Sequence, residues 1–306
     1  MIALFANNVI AWSWHIWVTD EDLTKVKDGL NGTKFAPVNI GWVGTKETAR
    51  YETKQVYMRA RQIESDVVSN TVLITSQAGP TIVERGNSPY YQWGRKDPLP
   101  GAYIKQIDDQ VGPERKTLYY SESSNYKPKY SKELWKPLGV VIQHPNIRYN
   151  YTGPSIHGWN WTDKFIYNLW NTTYGDTLGE TTFDVPVTKS VYDPSPVGYK
   201  VPGENAFASF NESNLPWSYA DPASFNDGNN GRTYNNGQGV FLPENGFVLF
   251  NDSIVFSTNQ YWSASLTNNT SDNFRRAYVI SFNESEVYEK DIVYLYNQLP
   301  VRSIQE

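Results

Sequence analysis

The chain has 306 residues with 11 Trp, 22 Tyr and 13 Phe, an aromatic fraction of 15% that excludes a disordered polymer and places Tyr and Trp on the surface as well as in the core. A net charge of −5 without any Lys/Arg cluster argues against nucleic acid as a partner, and no apolar run approaches the roughly 20 residues of a membrane helix. The absence of Cys removes disulfides, thiolate metal sites and thiol nucleophiles, so any metal would rely on oxygen ligands or the three His.

In chain order, the first segment carries no basic n-region and no A-x-A-like cleavage site, and reads as neither a signal peptide nor a lipoprotein leader. Residues 8 to 18 (NVIAWSWHIWV) set large aromatic and β-branched residues on both sides, the pattern of a central strand buried on both faces. Residues 51 to 60 and 70 to 78 alternate cleanly and predict an antiparallel hairpin with one wet face. From Gly79 to Gly101, Pro89, Pro98 and Pro100 forbid a long helix and predict an ordered loop around YYQWG. Residues 161 to 171 allow a short helix capped by Thr162, and the Pro-rich steps of residues 184 to 203 predict a pinned loop. The Gly/Asn-dense stretch 225 to 239 reads as a long excursion. Short strands then follow at roughly ten-residue spacing (GVFLP, GFVLFN, DSIVFS, YWSAS, AYVISFN, LPVRSI), which together give a β-rich α+β class in one domain, 1–306, with long loops.

Several uncommon segments occur in an order that resembles a known family: WSWHIWVTD, YYQWGRKDP, NLW (Asn168 to Trp170), VYDPSPVGYKVP, AF-x-x-F, FLPENG, YWSAS, AYVISFN and PVRSI. The chain is similar to the carboxy-terminal domain of Bacteroidales fimbrillin-family surface proteins, related to the Fibrobacter major paralogous domain. Residues 43–85 stand outside that likeness and read as an inserted hairpin region. The resemblance implies a C-type-lectin-like fold whose first and last strands pair, an extracellular place on a bacterial surface or fimbria, and a protein or glycan ligand, with fimbrial subunits as further partners. Members often carry Cys where this chain has Ser195 and Ser303, so a family disulfide would be absent. The same superfamily holds formylglycine-generating enzymes, whose cysteines are missing here, and variable proteins of diversity-generating retroelements, whose exposed residues near the carboxy terminus are diversified.

The expected recognition residues follow from that likeness: Asn268, Asn269 and Asn273 on one loop, and Tyr288, Ile292, Tyr294, Tyr296 and Asn297 before the closing strand. Tyr and Asn supply the contact area and adaptable hydrogen bonds of antibody combining sites. Each remaining candidate has a plainer reading. Arg95 and Asp97 beside Trp93 read as a pair pinning their loop, Trp12, Trp14, Trp17 and Trp262 as core, and His15 as a satisfied core imidazole. Arg302 sits in an apolar strand and must be paired if buried. Glu284, Glu286, Glu289, Asp291, Asp272 and Asn283 offer oxygen ligands for calcium but match no calcium-loop spacing, so no cofactor is expected. With no G-x-S-x-G, H-E-x-x-H or phosphate-binding loop, the chain reads as a binding module rather than an enzyme; a structural fimbrial subunit and a glycan-active enzyme are the alternatives.

Overall fold

The computed structural model describes residues 1–44, 54–61, 68–76, 86–107, 110–115, 129–134, 136–150, 169–172, 186–219, 230–234, 239–249, 253–267 and 276–306. The chain opens with β1 (Ile2–Ala6) and β2 (Val9–Trp14), then the two-residue strands β3 (Lys27–Asp28) and β4 (Lys34–Phe35). β5 (Lys54–Met58), β6 (Val72–Ser76), β7 (Tyr91–Gln92), β8 (Ala102–Ile107), β9 (Gln110–Arg115) and β10 (Lys129–Leu134) precede a short helix, α1 (Leu138–Gln143), and β11 (Ile147–Asn150). The second half holds β12 (Tyr199–Lys200), β13 (Trp217–Ser218), β14 (Gly231–Thr233), β15 (Phe241–Pro243), β16 (Phe247–Val248) and β17 (Ile254–Val255). It ends with the longer β18 (Asn259–Leu266), β19 (Arg276–Phe282) and β20 (Val287–Tyr294), followed by β21 (Gln298–Leu299) and β22 (Ile304–Gln305). This is a β-rich molecule of several small sheets, as its strand-and-turn spacing predicts.

The antiparallel sheet β18–β19–β20 organises the interior. Side chains alternate along β19, so Ala277 and Val279 face one side while Ile280 and Phe282 face the other. The first side packs with Trp262, Ala264, Val293, Trp93 and Trp170; the second packs with Tyr261, Val287, Phe207, Phe210 and Phe35. One sheet thus separates two hydrophobic cores. Its register slips between Val279 and Ser281, where the pairing runs Val279 with Asp291 but Ser281 with Tyr288. The extra residue lies in β20, a bulge that lets Val287 and Val293 serve opposite cores despite their even spacing.

The closing segment runs between β12 and β4. Ile304 pairs Lys200 and Phe35, Ala36 N–H donates to Ser303 O at 2.9 Å, and Ile40 N–H to Val301 O at 3.1 Å. The expected partner of the terminal strand, residues 8 to 18, is elsewhere: β1 and β2 pair with each other. That segment is also no central strand, because Val9, Trp14, Ile16 and Val18 are exposed. Two-sided bulk marks a strand, but it does not reveal that only one face has a neighbour.

β5 and β6 form the antiparallel pair expected within 51 to 78, from Lys54 with Ser76 to Met58 with Val72. Both faces are wet rather than one, since Val56 and Tyr57, adjacent and therefore on opposite faces, are each exposed. In the FLPENG turn, Gly246 takes φ +65°, and a Cβ there would meet Val255 O at 2.4 Å, which is why glycine stands at this position. The helix expected over 161 to 171 lies outside the described residues except for Leu169 and Trp170, both buried, and Asn171.

Candidate functional site

β19 and β20 present a polar, aromatic end beyond the second core. Arg276 pairs Tyr294 and Tyr278 pairs Ile292, and directly opposed residues share a face. These four half-buried side chains lie on the Ile280 side of β19, toward the strand end away from Phe282. Behind them, Ala277 and Val293 anchor the same strands in the other core. The Arg276 guanidinium sits 4.9 Å from the Tyr294 ring centre and donates Nη2–H to the Tyr294 hydroxyl at 3.3 Å. Tyr294 also stacks on buried Tyr296, with ring centres 5.3 Å apart and planes 13° apart. The result is a rigid ring pair capped by a cation.

The border is polar. Ser263 Oγ donates to Tyr278 O at 2.9 Å, and Ser265 Oγ accepts the Glu204 N–H at 3.1 Å. The Glu204 carboxylate, buried, receives Lys290 Nζ at 3.4 Å. Burial, with the nearby Glu204 charge second, raises the Tyr278 phenol above its ordinary range, so the hydroxyl stays protonated and able to donate.

The residues expected to form one face are divided. Ile292 and Tyr294 belong to the end just described. Tyr288 is exposed but opposes Ser281, on the other side of the sheet, because the β20 bulge turns it over. Tyr296 and Asn297, expected at the surface, are 1% and 3% exposed. Asn268, Asn269 and Asn273 lie outside the described residues. The supposed loop before the closing strand is largely β20, a strand whose charged middle hides its pairing. Arg276 and Tyr278 were not singled out in the sequence; their position opposite Tyr294 and Ile292 is a matter of register, which only the pairing reveals.

The other candidates resolve as structural. Lys96 Nζ lies 2.7 Å from Asp97 Oδ1, and both reach Ser13, whose Oγ donates to Asp97 at 2.6 Å. The pinning pair is therefore Lys96–Asp97 and not Arg95–Asp97; Arg95 instead donates to Ile147 O at 2.7 Å and Pro145 O at 3.0 Å. Trp262 is core, whereas Trp14 is exposed and Trp12 and Trp17 are half-buried. His15 sits 3.1 Å from the Tyr91 hydroxyl. Of the carboxylates considered for calcium, Glu284 accepts from Tyr219, Glu289 from Ser209 N–H and Asp291 from Gln260 Nε2, and Asp272 lies outside the described residues. Among the described residues no group of three or more His, Cys, Asp or Glu is placed to hold a metal ion. Also among them, no helix is long and apolar enough to cross a membrane.

No protein-family model matches the chain, nor does any curated protein or solved structure.

Proposed function

We propose that this chain is an extracellular recognition domain of adhesin type, carried on a bacterial surface or fimbria, that binds a protein or glycan through Arg276, Tyr278, Ile292 and Tyr294. The observation that carries this reading is the Arg276–Tyr294–Tyr296 stack on a sheet fastened to a core on its reverse side. Tyrosine offers large contact area at small entropic cost, and rings already stacked lose little further freedom on binding. Arg276 adds a cation beside the rings, and Tyr278 a protonated hydroxyl at a second polar point.

A C-type-lectin-like fold is the finer part of the proposal. Its support is twofold: the terminal strand returns to pair near the start of the chain at Phe35, and Ser195 meets Ser303 in the buried interior, the two positions where the family resemblance places cysteine.

The test is binding of the purified protein to a glycan array and a panel of surface proteins, with a Tyr278→Ala, Ile292→Ala, Tyr294→Ala triple variant beside it. Buried Tyr296 is left intact so that folding is preserved. At about 1 kcal/mol or more for each truncated anchor, the triple variant is expected to bind at least 100-fold more weakly. Unchanged binding to a ligand that the wild type retains would place recognition elsewhere.

A further inference from the structure

The half-buried Lys189 ends in a ring of oxygens. Its Nζ donates to the carbonyls of Ser195, Pro196 (2.9 Å) and Tyr199, and stands 3.9 Å from Oδ1 of the buried Asp193. The loop sets these oxygens in place by means that do not involve the lysine. Tyr199 N–H donates to Pro196 O at 3.0 Å, closing a turn in which Gly198 takes φ +81° as glycine readily does. Pro194 and Pro196 fix the backbone on either side of Ser195. The Asp193 carboxylate accepts Ser195 N–H at 2.7 Å and Val201 N–H at 2.8 Å. From the chain end, β22 pairs with β12, Glu306 N–H donates to Gly198 O at 3.1 Å, and Ser303 Oγ donates to Ser195 Oγ. Turn, prolines and strand pairing thus bring three carbonyls together, and only a cation between them relieves the mutual repulsion of their dipoles.

We propose that residues 193 to 199 form a site for a monovalent cation, and that its resident cation is the chain's own Lys189 ammonium. Carbonyl oxygens are hard, neutral ligands of the kind that replace the hydration shell of potassium in channel filters. Asp193 adds the single formal negative charge, and both of its oxygens are already committed to backbone N–H groups. One charge balances a monovalent ion, whereas calcium takes about six to eight oxygens, a larger set than the carbonyls of Ser195, Pro196 and Tyr199 with Asp193 supply. Potassium and ammonium match the –NH3+ head of lysine, a compact point charge. The loop therefore requires a cation at this place and not a lysine as such, and an ion from solution takes over the cage when the side chain is cut back.

Thermal melts of wild type, Lys189→Ala and Lys189→Met test this in potassium, ammonium and tetramethylammonium chloride at equal ionic strength. Tetramethylammonium is too large for the cage, and methionine fills the space of the lysine without its charge. In tetramethylammonium both variants are expected to melt several degrees below wild type. Potassium or ammonium should then raise the Lys189→Ala midpoint, saturably and by at least half of the deficit, while wild type and Lys189→Met stay where they were. A Lys189→Ala protein that folds only in potassium or ammonium is the same result in stronger form. Three outcomes overturn the proposal: one midpoint, or no folding, for Lys189→Ala in all three salts; equal recovery of Lys189→Met, which marks a general salt effect; and a Lys189→Ala midpoint equal to wild type in tetramethylammonium, which shows that the carbonyls need no cation.

Discussion

Buried cations in this molecule are held chiefly by backbone carbonyls. Arg302 donates to Ala36 O at 3.1 Å and to Phe241 O, and burial pulls its pKa down to about 10. Arg232 reaches the carbonyls of Leu215, Asn283 and Glu284, and the half-buried Lys189 those of Ser195, Pro196 and Tyr199. Loops of irregular course leave carbonyls with no ladder partner, and a side chain with several donors joins them across segments distant in sequence. That Arg302, if buried, would have to be paired was legible, because the strand around it is apolar. Its partners were not, because a carbonyl has no residue identity to read. Arg302→Met removes both bonds and leaves two acceptors stranded between β4, β15 and the closing segment. The expected loss is about 2–4 kcal/mol, seen as a lower urea midpoint at unchanged slope, with Arg302→Lys intermediate because one ammonium cannot span both carbonyls.

At the scale of elements, strand type was readable and strand depth was not. β18 and β19 were found where YWSAS and AYVISFN predict them. β2 was found as a strand but assigned to the centre, since alternating Trp and Ile look alike beneath a second layer and beside water. β20 went unread because Glu289, Lys290 and Asp291 interrupt its pattern at the bulge, where residues change faces. The N-terminal hairpin, attached by Trp12 against Tyr192 and Lys96 and by the Ser13 contacts, also carries an acid-sensitive one. Burial lowers the His15 pKa from its ordinary 6.5 to about 4, and the ring meets the Tyr91 hydroxyl while Ser13 of the same hairpin meets Lys96 and Asp97. The detached hairpin therefore takes up a proton more readily than the docked one. Stability from neutral His15 is complete above pH 6.5, declines as pH falls, and is lost by about pH 4, a change of order 3 kcal/mol. Hydrogen exchange should show the β1–β2 amides losing protection across that interval while β18–β19 stays protected. His15→Gln should flatten the pH dependence; a wild-type profile already flat would refute the linkage.

At the scale of the whole molecule, the fold depends on contacts between residues far apart in the chain. The central sheet comes from the last third, yet its two cores recruit Phe35, Trp93, Trp170 and Phe207, and the chain end is held between β12 and β4. In such an arrangement a covalent link at the end of the chain closes a long loop and so removes much conformational entropy from the unfolded chain. Ser303 Oγ donates to Ser195 Oγ at 2.8 Å, with both residues buried, so the two side chains meet at a distance within reach of a disulfide, whose Cβ atoms lie roughly 4 Å apart. Replacing both by Cys should therefore produce a cross-link without moving the backbone. The closed loop exceeds a hundred residues, for which chain entropy predicts about 4.7 kcal/mol, and imperfect geometry reduces the expected gain to about 2–4 kcal/mol. The oxidised Ser195→Cys, Ser303→Cys protein should melt several degrees above wild type and return to or below the wild-type value when reduced. The single variants should show no gain, because one thiol beside a serine forms no cross-link and weakens the hydroxyl–hydroxyl bond. Failure of the double variant to oxidise when folded would mean that the loop around Ser195 and the closing segment do not meet as described, and would remove one of the two supports for the lectin-like reading.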